Sequence, residues 1–254
     1  MYAEERQAAI AGRARTAGRV EVLELAETFD VTPETIRRDL STLERAGVLR
    51  RVHGGAIVTD LIGFEPALAE RESVRTAEKA SIARAALEFL PAQEGAIALD
   101  AGSSTYQLAA LLPADRPLTV VTNSLPIASL LAARPALTVH LVGGRVRGRT
   151  LATVGVDAVG YVNHVHVDVA FLGINGFSLE RGLTTPNATE AAVKSAFVTS
   201  ARRRVLLADH TKYGHDHFAH VADLDQVEVI VTDSALAHSA VAPIEAAGPQ
   251  VVLA

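Results

Sequence analysis

Two clusters of side chains in this sequence have the types and spacing for chemistry. The first is Thr32-Pro33-Glu34-Thr35-Ile36-Arg37-Arg38-Asp39-Leu40-Ser41, followed by Arg50, Arg51 and His53. Guanidinium groups, hydroxyls and an imidazole so grouped can donate to phosphate oxygens and to the acceptor edges of bases. The second is Asp100-Ala101-Gly102-Ser103-Ser104-Thr105. A glycine that lets backbone approach, hydroxyl donors and a helix that follows make a cradle for an anion. An ordinary capped turn has the same composition. Asp100 would accept from sugar hydroxyls or only cap the loop. Lys212 offers a second phosphate contact or is solvated surface. Asn187, Glu190 and Lys194 fall at i, i+3, i+7 on one helical face, and the Glu190–Lys194 spacing also describes an ordinary surface ion pair.

The elements that must hold the first cluster are legible. An apolar-faced helix over 21–29 is followed by a tight turn at Asp30-Val31. Thr32 then suits an N-cap, and Pro33 the first helical position, where a missing N–H costs nothing. Ile36, Leu40 and Leu43 share a buried stripe, which turns Thr35, Arg37, Arg38 and Ser41 toward other faces. Gly47 sits where a left-handed helix stop is expected. Residues 48–52 read as a strand and Gly54-Gly55 as a hairpin tip. Arg50 and Arg51, adjacent on that strand, point to opposite faces. With a first helix over 3–14, the pattern predicts a winged helix-turn-helix, a unit that seats its second helix in the major groove of DNA.

Charge agrees locally. The chain carries a formal net charge of -5, yet residues 35–55 hold five arginines against two acids. An acidic body repels nucleic acid in general, while a basic face can still neutralise phosphates. Modest nonspecific affinity and dependence on a dimer follow. The 254 residues suit two domains, and 49% hydrophobic content supports a sizeable core of Ala, Val, Leu and Ile. The absence of cysteine excludes disulfides, thiolate chemistry and zinc fingers. The start, MYAEERQ, is not a secretory signal, and the apolar run at 125–133 falls far short of the ~20 residues that span a bilayer. A cytoplasmic location without membrane attachment is expected. His210, His215, His217 and His220 crowd within eleven residues, but no metalloenzyme motif accompanies them, and no metal or cofactor is expected.

Beyond a connector at 58–74, broken by Gly63 and Pro66, β-branched runs alternate with Ala/Leu-rich helical stretches. Strands are expected at 96–99, 118–122, 137–142, 167–172, 204–208, 227–232 and 250–253. Helices are expected near 75–90, 104–112, 125–133, 188–202 and 235–247. This alternation predicts an α/β domain over 75–254 with a mostly parallel sheet. Ligands of such sheets bind outside the carboxyl ends of strands. Small, polar or charged residues collect there: residues 100–105, Thr122-Asn123-Ser124, Gly143-Gly144-Arg145, the segment 173–176 and Asp209-His210-Thr211-Lys212.

The stretch TPETIRRDLSTLERAGVLRRVHGGA matches the DNA-binding signature of the DeoR/GlpR family of bacterial repressors nearly residue for residue. VDVAFLGINGF, GLTTPNATEAAVKSAF and RRVLLADHTKYG are similar to that family's sensor domain. Together these segments cover nearly the whole chain. The resemblance implies a winged helix-turn-helix over 1–57 and a phosphosugar-sensing domain over 75–254 that resembles ribose-5-phosphate isomerase and the CoA-transferases. It implies that residues 100–105 form the phosphate loop, with Thr122, Asn123, Gly143, Gly144, Asn187, Glu190 and Lys212 at other pocket positions. The partners implied are operator DNA and a sugar phosphate, with the chain a homodimer or homotetramer. MYAEERQ, VTNSLPIA and LVGGRVRG look like the actinobacterial fructose-operon branch, which favours a ketohexose phosphate. The alternative is an isomerase-like enzyme fused to a DNA module, with Glu190 and Asp100 cast as base and acid.

Overall fold

The computed structural model describes residues 2–17, 19–46, 48–58, 65 and 67–254. They fall into two compact units, Met1–Pro66 and Ala67–Ala254. No described helix is long and apolar enough to cross a membrane.

In the first unit the order is α1 (Ala3–Ala17), β1 (Arg19–Glu21), α2 (Val22–Phe29), α3 (Pro33–Arg45), β2 (Leu49–Val52) and β3 (Gly55–Val58). Ile10, Leu25, Ile36, Leu40 and Leu49 close one small core. Beside it lies a buried pair that sequence reasoning missed. Arg6 Nε donates to Asp39 at 2.6 Å and Gln7 to the same carboxylate at 2.9 Å, fixing α1 against α3. The strands form an antiparallel sheet in the order β1-β3-β2. The glycine pair differs from a simple tip. Gly54 takes the turn with φ +80°, whereas Gly55 already pairs in β3, where a Cβ would sit 2.0 Å from the carbonyl of Val20. Only glycine lets β1 join there. Gly47 lies outside the described residues.

The second unit begins inside the expected connector. Residue 58 belongs to β3, and α4 spans Leu68–Ser73. Leu68 is buried, and the Ala67 N–H donates to Glu70 at 3.3 Å, closing the first turn. Gly63 and Pro66 lie outside the described residues. Then come α5 (Thr76–Ala86), β4 (Gly95–Leu99), α6 (Ser103–Leu111), β5 (Leu118–Thr122), α7 (Leu125–Leu131), β6 (Leu137–Leu141), β7 (Arg145–Arg147), β8 (Ala152–Val154), α8 (Val156–Asn163) and β9 (Val167–Gly173). The chain ends with β10 (Gly176–Ser178), β11 (Gly182–Thr185), α9 (Ala188–Ser200), β12 (Ala201–Leu207), β13 (Ala219–Ala222), β14 (Val229–Thr232), α10 (His238–Ala246) and β15 (Gln250–Leu253).

The seven expected strands form one sheet, in the order β15-β14-β12-β9-β4-β5-β6 and parallel throughout. Successive strand residues point to opposite faces. Val169, Phe171, Val205 and Leu207 therefore pack against Ile82, Leu108 and Ile127 of α5, α6 and α7. Ala170, Leu172 and Leu206 pack against Val162, Val193, Phe197 and Ile244 of α8, α9 and α10. The sequence pattern missed α8 and two small antiparallel sheets, β7-β8 and β10-β11-β13. Their strands are three or four residues long and lack the continuous apolar run that marks β14 and β15, themselves four residues long.

Candidate functional site

Thr32 caps α3 by accepting the Thr35 N–H at 3.2 Å, and its hydroxyl lies 3.0 Å from that of Thr35. Arg37 and Arg38 are exposed near the start of this helix. Arg37 reaches Glu34 at 3.1 Å, and Ser41 donates to the Arg37 carbonyl at 2.8 Å. The wing is docked onto the same helix. Arg51 donates to the Ser41 hydroxyl at 3.0 Å, and its backbone N–H to Glu44 at 2.8 Å. Arg51 thus pairs within the protein. The Arg50 side chain lies outside the described ones. His53 is exposed at the turn before Gly54. Ser41, bonded to both Arg51 and the Arg37 carbonyl, thus joins the wing to the second helix of the motif.

In the second unit the carboxyl ends of β4, β5, β9 and β12 meet a different chemistry. Gly102 is the N-cap of α6 in extended conformation and offers no side-chain cap. The first hydrogen bond inside the helix comes from the Tyr106 N–H to the Gly102 carbonyl, at 3.0 Å. The amides of Ser103, Ser104 and Thr105 are helix-terminal donors without an intrahelical partner. The Ser103 and Ser104 hydroxyls have no bond among the described residues, whereas Thr105 spends its hydroxyl on the carbonyls of Asp100 and Gly102. Two serines and a helix N-terminus therefore remain for an anion.

Thr122 and Asn123 wire the loops together. Thr122 donates to the Leu99 carbonyl at 2.6 Å. Asn123 accepts the Ala101 N–H at 2.9 Å and donates to the Thr153 carbonyl at 3.2 Å. Gly144, at φ +132°, lies where a Cβ would meet the Val154 carbonyl at 2.8 Å; Gly143 is exposed beside it. Asn187 caps α9, accepting the N–H groups of Thr189 and Glu190, each at 3.1 Å.

Asp100 is only 1% exposed. One carboxylate oxygen takes an ion pair from Lys194 and the Gly173 N–H at 3.2 Å; the other has no partner. Lys194 also donates to the Gly173 carbonyl at 2.8 Å. The Glu190–Lys194 surface pair is replaced. Both are 4% exposed, and Glu190 instead holds Arg147 and Thr150 of the β7-β8 hairpin. Neither partner was anticipated, because a bond across some forty residues leaves no local pattern. Burial opposes ionisation of Glu190, but Lys194, Thr150 and Arg147 outweigh it and hold its carboxyl below the usual range. Burial raises Asp100 above that range against the pull of Lys194, with the charge of Glu190 adding to the rise.

Lys212 lies in a short turn after β12, two strands from β4. Beside it Arg75 approaches Asp209 at 3.8 Å. Lys79 is buried and donates to the carbonyls of Arg71 and of Val74, the latter at 2.6 Å. Burial pushes the Lys79 ammonium down to about 8, partly opposed by Asp209 and reinforced by Lys212, Arg71 and Arg75. Of the clustered histidines, His210 bonds Asp233 at 2.8 Å and His220 bonds Asp223 at 3.1 Å.

A family profile described as "DeoR C terminal sensor domain" matches residues 74–234, and one described as "DeoR-like helix-turn-helix domain" matches residues 6–61. The chain is 36% identical to an uncharacterized HTH-type transcriptional regulator, FruR, of Bacillus subtilis, over 85% of each chain. It is 30% identical to the glycerol-3-phosphate regulon repressor of Escherichia coli, again over 85% of each chain. Ribose 5-phosphate isomerase A of Methanocaldococcus jannaschii is similar in structure, with 15% identity and a TM-score of 0.39 over 53% of each chain.

Proposed function

The chain belongs to the DeoR family of DNA-binding transcriptional regulators, and from that premise we propose a repressor of a sugar-utilisation operon whose operator affinity is set by a phosphorylated sugar. The observation that carries the sensing half is the uncapped start of α6, where three backbone amides and the Ser103 and Ser104 hydroxyls stand free for an anion. Gly102, Ser103 and Ser104 would hold the phosphate. Asp100, Thr105, Thr122 and Asn123 would hold the loop that presents them. Glu190 and Asn187 set the start of α9, and Gly143 and Gly144 open the way to the hairpin. Thr32, Thr35, Arg37, Arg38, Ser41, Arg50, Arg51 and His53 would face operator DNA, with Arg50 the wing residue that tracks phosphates.

A route for coupling is built into α4. The Leu68 N–H donates to the Arg149 carbonyl at the hairpin tip, at 2.9 Å, while Lys79 grips the carbonyls at the other end of this helix. One anchor leads through Arg147 to Glu190, the other to Asp209 and Lys212. A ligand that prefers one arrangement of these anchors would shift α4, and it can shift the equilibrium only by that difference in affinity. We take a ketohexose phosphate as the effector, on the likeness of MYAEERQ, VTNSLPIA and LVGGRVRG to the fructose-operon branch.

The test is calorimetry of the full chain with a panel of sugar phosphates and unphosphorylated sugars, paired with operator binding. Phosphorylated ligands should bind, and at least one should change operator affinity; binding of the unphosphorylated sugar alone would remove the anion cradle. As an isomerase the protein would exchange substrate protons with deuterated water. Glu190 and Asp100 are each already tied to a cation inside the protein, and no exchange is expected.

A further inference from the structure

β6 is the outermost strand on one side of the seven-stranded sheet. Alternate backbone N–H and C=O groups of such a strand point away from the sheet and can pair with another chain. Natural proteins guard these edges with charge, proline, a bulge or a covering element. The opposite edge is guarded in this way, since Glu245 of α10 accepts the Val251 N–H of β15 at 3.3 Å.

Among the described residues none guards β6 in these ways. It runs in unbroken register with β5 through all five residues. Between Arg116 and Arg145 the sequence has one charged side chain, Arg134. That guanidinium is spent on the carbonyls of Leu112 and Ala110, at 2.7 and 3.0 Å. Thr138, His140 and Leu141 are exposed, Leu141 by 45%. Along one side of the strand runs an open groove of about 470 Å³, lined by Leu125, Ala128, Ser129, Ala132, Val139 and Leu141. It is floored by small residues and rimmed by a protruding leucine.

We propose that this edge and groove bind a second copy of the chain, β6 pairing antiparallel with its mate across a two-fold axis. A two-fold interface must be self-complementary. Here the same surface carries both the knob, Leu141, and the hollow, Ala128, Ser129 and Ala132. The edge, without acidic side chains and with no free arginine or lysine, suits a neutral backbone ladder and offers no complement to a strongly basic or acidic partner. The need for two copies rests on the operator-binding reading, because helix-turn-helix readers engage paired half-sites. The surface itself is argued from the sheet edge alone.

The experiment is sedimentation velocity on the full chain at tens of micromolar. The wild type should be a dimer or a multiple of one. Leu141→Glu and Ser129→Arg should each weaken the association at least about tenfold, since each buries two unpaired charges per dimer. Leu253→Glu on the opposite edge should leave it unchanged. Because the chain has no cysteine, single cysteines at Thr138, Val139 and His140 give a second measurement independent of the charged variants. At least one should form a disulfide-linked dimer under mild oxidation, while Leu253→Cys should not. Far-ultraviolet circular dichroism and the melting temperature show that each variant is folded. A monomeric wild type, or wild-type mass in both charged variants with no cross-link at any of the three positions, would overturn the proposal. A monomeric wild type that still responds to sugar phosphate at a single half-site would overturn it while leaving the proposed function standing.

Discussion

Glu34 and Arg37 form an exposed pair at 3.1 Å, which DNA must break before Arg37 can read a base. Exposed pairs contribute at most about 1 kcal/mol, whereas a base-reading arginine contributes ~1–3 kcal/mol, so the operator wins. Arg37→Ala or Arg38→Ala should lower operator affinity about tenfold or more and relax sequence preference; unchanged gel shifts for both would remove α3 from the groove. In the sensor, Ser104→Ala deletes a donor to an anion. Such bonds contribute roughly 1.5–3 kcal/mol, so calorimetry should read an affinity loss of about ten- to a hundredfold. Lys79 gives a pH signature. Its folded value, about 8, lies below the ~10.4 of an unfolded lysine. Between those values the unfolded chain holds more protons, so stability rises with pH. The melting temperature of wild type minus that of Lys79→Met should therefore be larger near pH ~9.5 than near pH ~7.5. A flat difference would mean the ammonium is solvated.

Elements decide which of these side chains can act. The wing is held to α3 through Arg51, Ser41 and Glu44, so its two arginines should behave differently. Arg50→Ala should reduce the slope of log operator affinity against log salt by about one unit. Arg51→Ala should weaken binding by loosening the wing, with a smaller change in slope. An unaltered slope and affinity in both would exclude a wing contact. The helix-turn-helix was legible because its signals are local: a cap at Thr32, Pro33 after it and a stripe of Ile36, Leu40 and Leu43. The seven strands of the main sheet were legible because β-branched runs between helices need no partner to be recognised. The hairpin was not. Arg147 and Thr150 meet Glu190 across some forty residues, and the bond between Asp100 and Lys194 spans 94. Long-range pairing of charges inside the protein is what sequence spacing could not show.

At the scale of the whole molecule, reading and sensing lie in separate compact units. Ser104→Ala should therefore bind operator like wild type and fail only to respond to sugar phosphate. Gly102→Val should be more severe in effector binding, because the added bulk, with Thr105 Oγ1 only 3.2 Å from the position of a Cβ, would crowd the phosphate. Lost operator binding in either folded variant would place this loop within the coupling itself.

The six-residue helix α4 has one further consequence. A helix this short does not hold its own hydrogen bonds in water, so its order is lent by Arg149 at one end and Lys79 at the other. Its amides are thus a native reporter of what occupies the sensor. Deuterium uptake over residues 68–73, read by mass spectrometry as candidate metabolites are added one by one, would identify the physiological signal before any operator sequence is known.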